Sequence, residues 1–498
     1  MTHKQIARIC VSVCEKDLDS LRDACERAVE WADVIELRLD CLEAIPEDLT
    51  ELTQSLSCPL ILTFRPAEQG GHRNSTDEER QRFWSSIAQH SDSIWWDIEG
   101  DLVHDLEPDW SRVIVSHHDF SGVPNDLEQI YERLARTPAA VLKIAVHAND
   151  IVDCIPIFNL IDRARREGRN IIAIAMGNAG IATRVLGPSR GSFLTYGALD
   201  DESATAPGQV NAPKLRSLYH LDKIDDETMI CGLVGLPVMH SVSPYIHNAA
   251  FVSERVNGVY LPFEVHDAQQ FFKRMVHPRT RELNWNLRGL SVTAPHKQAV
   301  MEFLNWIEPD AEEIGAVNTV VVENDRLLGY NTDAAGLIHP LLSRFATLRD
   351  ARVAIIGAGG AARAAIWALQ RQKAELTLFA RDVTKARPLA ELFAISCSSL
   401  ADASFNGYDL VINATPVGSG THIGQSPVTR EQLSGSRCVY DLIYNPAETQ
   451  LLREAHEVGC QTLGGLEMLV AQARLQFELW TGKKFSHEFS QMNMDFIL

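Results

Sequence analysis

Eight short runs of β-prone apolar residues recur through the first 200 positions of this 498-residue chain, at 6–13, 34–40, 60–64, 94–98, 113–116, 141–146, 171–175 and 193–196. Runs this short, bounded by polar stretches, suit strands, and the segments 18–30, 77–90, 125–135 and 151–167 between them read as helices. Regular strand–helix alternation calls for parallel strands joined by crossovers. Eight such units in about 200 residues predict a (β/α)8 barrel at the compact end of its range, with an open doubly wound sheet as the alternative.

A barrel makes a prediction about chemistry, because its active residues sit at the C-terminal ends of strands and in the loops that follow. The unusual polar residues obey it. Glu36 and Arg38 lie in the second run, Arg65 closes the third, His118 closes the fifth and Lys143 lies inside the sixth. Arg184 follows the seventh, and Thr205 and Gln209 follow the eighth. Lys143 is flanked by Leu142 and Ile144. An aliphatic setting of that kind predicts an amine pushed toward neutrality, able to attack a ketone and form an imine that acts as an electron sink. His118 is the natural base for the neighbouring C–H, whereas strand alternation sends His117 to the other face.

The second half has a different rhythm. Residues 211–228 read as a polar linker that follows or continues the last barrel helix, and a new strand–helix series begins at Met229. The stretch 353–363, Val-Ala-Ile-Ile-Gly-Ala-Gly-Gly-Ala-Ala-Arg, is an apolar run ending in glycines before a helix. Glycine there lets the backbone turn sharply and approach a pyrophosphate, which helix N-terminal amides favour. Gly357, Ala358, Gly359, Gly360 and Ala361 form this cradle, within a nucleotide-binding unit of about 351–464 with strands at 353–356, 376–380, 410–413 and 439–442. A last helix, 466–480, is expected to pack back on the preceding lobe. Upstream stand Lys297 and Asp333, a pair suited to moving a proton during hydride transfer.

The net charge of −20 argues against nucleic-acid and anionic-membrane partners, and no run is apolar enough to span a bilayer. The ten cysteines are scattered without a Cys-x-x-Cys pair, so they read as buried reduced thiols in a cytoplasmic protein that lacks a signal peptide; no metal site is expected.

The blocks Glu36-Leu-Arg38-Leu-Asp, Thr63-Phe-Arg65, Ser116-His-His118-Asp-Phe, Lys143-Ile-Ala-Val and Ala206-Pro-Gly-Gln209 resemble type I 3-dehydroquinate dehydratase over about residues 5–215. The resemblance implies a cofactor-free Schiff-base mechanism, with Lys143 as nucleophile and His118 as general acid/base. It also implies that Glu36, Arg38 and Arg65 contact substrate hydroxyls, and that Arg184 and Gln209 hold the substrate carboxylate, with Thr205 where the family often has Ser. The family usually carries a Glu directly before its Gly-Gly pair to orient the histidine. Here Gln69 takes that place and Glu68 is shifted by one.

The C-terminal half resembles shikimate dehydrogenase through Ser241-Val-Ser243-Pro, Thr293-Ala-Pro-His-Lys297, Ala316-Val-Asn318-Thr, Asn331-Thr-Asp333, the Gly357 turn and the 465–472 block. That resemblance implies that Ser241 and Ser243 bind the carboxylate and that Lys297 and Asp333 transfer the proton. Thr293, Asn318, Tyr444 and Gln472 would complete the substrate shell, Gly465 would border the cofactor, and Ser291 replaces a usual Asn. At the end of the second nucleotide strand, Arg381 favours the 2′-phosphate of NADP, Lys385 adds charge, and Asp382 opposes the phosphate if it faces inward.

Together these readings predict a barrel of residues 1–222, a substrate lobe of 229–332 completed by about 466–498, and a Rossmann domain of 333–465. They predict dehydration of 3-dehydroquinate to 3-dehydroshikimate, then NADPH-dependent reduction to shikimate. The alternatives are a second half that prefers quinate and dehydroquinate, or a catalytically dead metabolite sensor that retains its pockets.

Overall fold

A computed structural model of the chain describes residues 7–45, 49–87 and 94–485. Position 6 of the first expected strand, 88–90 of the helix expected at 77–90, and 486–498 of the segment expected to complete the lobe lie outside the described residues. The chain divides into two compact units. One comprises Met1–Ile230 with Asn257–Val276 and Thr280–Asn286, the other Cys231–Val256, His277–Arg279 and Leu287–Leu498.

In the first unit the eight expected strands form, as β1 (Ile9–Val13), β2 (Val34–Arg38), β3 (Leu60–Thr63), β4 (Ile94–Glu99), β5 (Val113–Asp119), β6 (Val141–His147), β7 (Asn170–Met176) and β8 (Thr195–Ala198). Each of the seven ladders that join them is parallel, in the order β7-β6-β5-β4-β3-β2-β1-β8. The seam between β7 and β8 closes through one bridge, Ile171 to Ser192, where the Phe193 N–H donates to the Ile171 carbonyl at 2.7 Å. The barrel interior is apolar at the N-terminal ends of the strands, where Cys10, Val34, Ile61, Ile114, Val141 and Ile172 pack together. Because side chains alternate along a strand, the next inward positions are Ser12, Glu36, Thr63, Ser116 and Lys143, so polar groups lie on top of an apolar floor.

Helices Leu18–Ala28, Asp77–Ile87, Leu127–Ala135 and Cys154–Arg166 stand where the pattern placed them. Helix Ile181–Arg190 was not read from the sequence, since Gly187 and Pro188 interrupt its pattern. The supposed linker contains a short helix, Ala212–Ser217, capped by the Asn211 side chain.

The cysteine expectation needs a correction. Cys14 and Cys41 form a disulfide, while eight cysteines remain free and six of those are buried. The two lie 27 residues apart in sequence, but neighbouring parallel strands β1 and β2 deliver their C-terminal ends side by side.

In the second unit, Leu287–Val292, Thr319–Glu323 and Arg326–Tyr330 pair antiparallel in turn. Helix Leu466–Thr481 packs on them as expected, with the Trp480 indole donating to the Val320 carbonyl at 3.1 Å. The nucleotide-type sheet is fully parallel, ordered Ser396–Ser399, Glu375–Ala380, Arg352–Ile356, Leu410–Asn413, Cys438–Asp441, Gln461–Leu463. The order reverses beside Arg352–Ile356, and the glycine turn opens at that switch point, where ligands of such sheets bind. Gly357 there has φ +110°, and a Cβ on it would lie 2.8 Å from Thr415 Cγ2.

Candidate active sites

The structure brings all eight expected barrel residues, Glu36, Arg38, Arg65, His118, Lys143, Arg184, Thr205 and Gln209, to the wall of one cavity. His117 is not part of that wall, as alternation predicts.

The setting of Lys143 differs from the aliphatic one expected. Leu142 and Ile144 belong to the opposite face of the strand, so flanking sequence said nothing about the amine. Lys143 Nζ instead lies 2.7 Å from Asp97 Oδ2 and 3.5 Å from Glu36 Oε1, and 4.1 Å from the centre of the Tyr196 ring. Glu36 is held in turn by the hydroxyls of Ser12 at 2.6 Å and Thr63 at 2.8 Å. Arg65 contacts Asp97 at 2.8 Å, Glu99 at 3.0 Å and the Ser116 hydroxyl at 2.8 Å. Burial raises the Asp97 carboxyl, but Arg65 and then Lys143 outweigh it and leave the group well below the usual carboxylate range. Burial carries Glu99 the other way, up to about 7. The lattice extends outward to Arg80, itself buried, 3.2 Å from Glu99. Asp97, Glu99 and Arg80 were missed in the sequence. The signal was present, since the run Ile-Trp-Trp-Asp-Ile-Glu places two carboxylates on one face of a strand.

His118 is half-buried, and desolvation together with Arg65 and Lys143 pushes its pKa well below the ordinary 6.5. The imidazole is therefore neutral at physiological pH and ready to accept a proton. Its Nδ1 has no hydrogen-bond partner, and neither has the buried Oε1 of Gln69. The orienting hydrogen bond expected of Gln69 is thus not formed, although both residues face the same cavity. Gln69→Glu is expected to raise the imidazole pKa, because an adjacent carboxylate favours imidazolium. If the barrel performs the dehydration that its sequence blocks imply, the acid limb of the pH–rate profile, which reports the loss of neutral base, should then move to higher pH than in the native protein. An unmoved limb would show that residue 69 does not act on His118.

Two arginines at the rim behave oppositely. Arg38 is locked in a two-pronged contact with Asp40, at 2.9 and 2.8 Å. Arg184 is equally buried but finds only the Tyr196 and Pro207 carbonyls, each at 3.4 Å, and its Nε has no partner. Desolvation lowers its pKa to about 10, so it remains charged at neutral pH without a carboxylate beside it. Such a cation is built for an anionic group of a ligand. Gln209 Oε1 accepts from the backbone N–H and hydroxyl of Thr205, at 2.8 and 3.1 Å.

In the second unit a cleft of about 730 Å³ is lined by Ser241, Ser243, Thr293, Lys297, Asn318, Asp333, Ala361, Tyr444, Gly465 and Gln472. Lys297 Nζ lies 2.5 Å from Asp333 Oδ2. Asp333 is the first residue of helix Asp333–Arg344, whose N-terminal amides favour a carboxylate. Its other oxygen accepts from Asn318 Nδ2 at 2.7 Å, and Asn318 reaches Gln472 at 3.5 Å. The Ser241 and Ser243 hydroxyls are 3.1 Å apart, with the Tyr444 hydroxyl 3.4 Å from Ser241. Val242 stands at the N-cap of helix Ser243–Ser253; the Ser241 hydroxyl accepts from the Ser243 N–H at 3.2 Å, and both serines face the cleft. Gln476, one turn after Gln472, was not foreseen. It accepts from Ser291 at 2.8 Å and donates to the Asn318 carbonyl at 3.2 Å, bracing the shell from behind. The loop with Pro416, Ser419, Gly420, Thr421 and His422 also borders the cleft and was not read from sequence.

The glycine turn suits a dinucleotide. Gly359 has open space where a Cβ would stand, and a Cβ on Gly360 would come within 3.0 Å of the Lys297 side chain, so glycine there lets the turn approach the Lys297–Asp333 pair. Arg381 is exposed at the end of Glu375–Ala380, without an ion pair among the described residues. Asp382, which follows it, has a partner within its own chain. Its carboxylate caps helix Val383–Leu392, accepting from the Lys385 N–H at 3.1 Å.

Residues 9–226 match the family model for type I 3-dehydroquinase. Residues 233–320 match the shikimate dehydrogenase substrate binding domain, 341–439 shikimate / quinate 5-dehydrogenase, and 465–486 the shikimate 5'-dehydrogenase C-terminal domain. The chloroplastic bifunctional 3-dehydroquinate dehydratase/shikimate dehydrogenase of Arabidopsis thaliana is 32% identical over 509 residues, covering 96% of this chain and 83% of that protein. A shikimate dehydrogenase (NADP(+)) of Caldanaerobacter subterraneus subsp. tengcongensis is 42% identical over 275 residues, 54% of this chain and 96% of that protein. A crystal structure of a shikimate dehydrogenase in complex with NADP+ aligns with a TM-score of 0.51 and 37% identity, covering 55% of this chain and 98% of that one.

Proposed function

We propose that the residues gathered in the two cavities carry the two reactions of the family to which this chain belongs, the bifunctional 3-dehydroquinate dehydratase/shikimate dehydrogenases. The enzyme dehydrates 3-dehydroquinate to 3-dehydroshikimate and reduces that product to shikimate with NADPH. Three segments divide the work: a barrel of 1–222, a substrate lobe of 229–332 completed by about 466–498, and a nucleotide-binding domain of 333–465. The observation that carries the assignment is the convergence of Lys143, His118 and the unpaired Arg184 on one cavity, and of Lys297 and Asp333 on another.

In the barrel, Arg184 and Gln209 hold the substrate carboxylate, and Glu36, Arg38 and Arg65 position its hydroxyls. Lys143 adds to the ketone, and loss of water leaves a protonated imine that acidifies the neighbouring C–H. His118, kept neutral by its surroundings, removes that proton and returns it to the departing β-hydroxyl. Hydrolysis of the imine frees the product. Asp97 sets the position of the amine throughout.

In the second unit, Ser241, Ser243 and Tyr444 bind the carboxylate of dehydroshikimate. Lys297, paired with Asp333, protonates the oxygen of the carbonyl under reduction, while Asn318 and Gln472 hold the pair and the ring hydroxyls. NADPH supplies the hydride when bound across the Gly357–Ala361 turn. Arg381 takes its 2′-phosphate, so Arg381→Ala should weaken NADPH by about tenfold to a hundredfold and leave NADH nearly unchanged. Equal losses for both nucleotides in a fluorescence titration would move the specificity elsewhere.

The products test the whole scheme. Pure protein given 3-dehydroquinate alone should yield 3-dehydroshikimate by mass analysis, and shikimate once NADPH is added. Formation of quinate without dehydroshikimate would overturn the division of labour. Among the described residues no helix is long and apolar enough to cross a membrane. The eight free cysteines fit a reducing compartment such as the cytoplasm, whereas the Cys14–Cys41 disulfide does not.

A further inference from the structure

Cys14 and Cys41 differ from most other cysteines of the chain. They are partly exposed, they are bonded to each other, and the exposed imidazole of His72 stands beside them, the three ligand atoms lying within 4.8 Å of one another. The bond also occupies a particular place. Cys41 ends the turn Leu39–Cys41, and its neighbour Asp40, 1% exposed, is a junction. The Asp40 carboxylate accepts from the Arg38 guanidinium at 2.9 and 2.8 Å, from the Arg65 N–H at 3.3 Å and from the His72 N–H at 3.0 Å. One carboxylate thus joins both cavity arginines of the β2 and β3 ends to the loop that carries Gln69 and Gly70. That loop is tightly seated, since a Cβ on Gly71 would lie 1.9 Å from the Arg65 carbonyl oxygen. The disulfide ties this junction covalently to the end of β1.

We propose that Cys14–Cys41 is a thiol–disulfide exchange site that tunes substrate binding by the barrel through Asp40 and Arg38. A dithiol reductant supplies the electrons: its thiolate attacks one sulfur, the S–S bond breaks, and the expelled thiolate takes a proton from water. The second reductant thiol resolves the mixed disulfide, leaving two protein thiols and an oxidised reductant. A small disulfide such as oxidised glutathione reverses the balance. In the oxidised form the turn, Asp40 and Arg38 are held. In the reduced form the turn is released from β1, and Arg38 is less well organised for the substrate. The proposal rests on the assignment of Arg38 to the dehydratase substrate.

The full-length protein is equilibrated in glutathione buffers of graded ratio, then alkylated and mapped by mass spectrometry, and both activities are measured. Reduction of Cys14 and Cys41 should raise KM for 3-dehydroquinate about fivefold with a smaller change in kcat, reversibly, while dehydroshikimate reduction stays constant. Cys14→Ser and Cys41→Ser should each show the high KM in every buffer. Cys58→Ser and Cys397→Ser, at the other partly exposed cysteines, should respond like the native protein. A disulfide that resists excess dithiol in the folded protein, or one that is reduced with no change in KM, would overturn the proposal. Absence of dehydratase activity in all buffers would instead overturn the reading of the barrel site itself.

Discussion

Lys143→Ala is expected to lower dehydration of 3-dehydroquinate by at least about 10⁴-fold, because no other amine lines the cavity and the imine route has no substitute. Reduction of added 3-dehydroshikimate should be untouched, since the Lys297–Asp333 pair belongs to a separate unit. The same assignment predicts a covalent signature. Borohydride added with 3-dehydroquinate or 3-dehydroshikimate should leave the reduced ligand on the peptide that contains Lys143, and on none in the Ala variant. Dehydration that persists without any adduct would exclude the Schiff base. Because Lys143→Ala removes a buried partner of Asp97 and Glu36, a thermal melt of the variant must accompany the assay, and Lys143→Met, which keeps the side-chain volume, should show the same loss.

The second large effect concerns Lys297 and Asp333. A positioned acid/base contributes about 10²–10⁴-fold to such a step, and the 2.5 Å contact between them makes the two one device. Lys297→Ala and Asp333→Asn should each cost most of the turnover with dehydroshikimate, and the double variant should cost little more than either. NADPH affinity should change little, since neither side chain is assigned to the nucleotide. Near-native turnover in both single variants would remove these residues from the mechanism. Multiplying losses would mean that they act independently.

What could be read in the sequence followed from periodicity and from position. The barrel strands announced themselves because parallel strands covered on both faces are short apolar runs, and the site residues because charge within such a run is conspicuous, as at Lys143 and Arg38. Pairing across the barrel was invisible. Asp97 contacts Lys143 from a strand two places earlier in the chain, and no local pattern predicts which inward charges meet. The aliphatic neighbours of Lys143 misled for the same reason, since adjacent residues of a strand see different sides of it. Cys14 and Cys41 carried no motif, because their proximity arises from the parallel alignment of β1 and β2. Asp382 could be placed at the nucleotide strand, but whether it faced a ligand or its own helix depended on the N-cap backbone. Gln476 is a simpler omission, as it follows Gln472 by one helical turn. The metabolite-sensor alternative has no support in these contacts: the groups proposed to move protons are retained, His118 and Lys143 on one cavity and Lys297 and Asp333 on another.

Arg184 has a consequence for the folded state as well as for the substrate. A guanidinium buried at 1% exposure, with two long carbonyl contacts and a stranded Nε, is a debit that the ligand-free barrel carries. On the proposed assignment of Arg184 to the substrate carboxylate, a bound ligand should offset that cost, and occupancy and resistance to unfolding should rise together. The barrel should therefore be most fragile when idle, with the flow of its own substrate and product through the cavity expected to act as its stabilising agent.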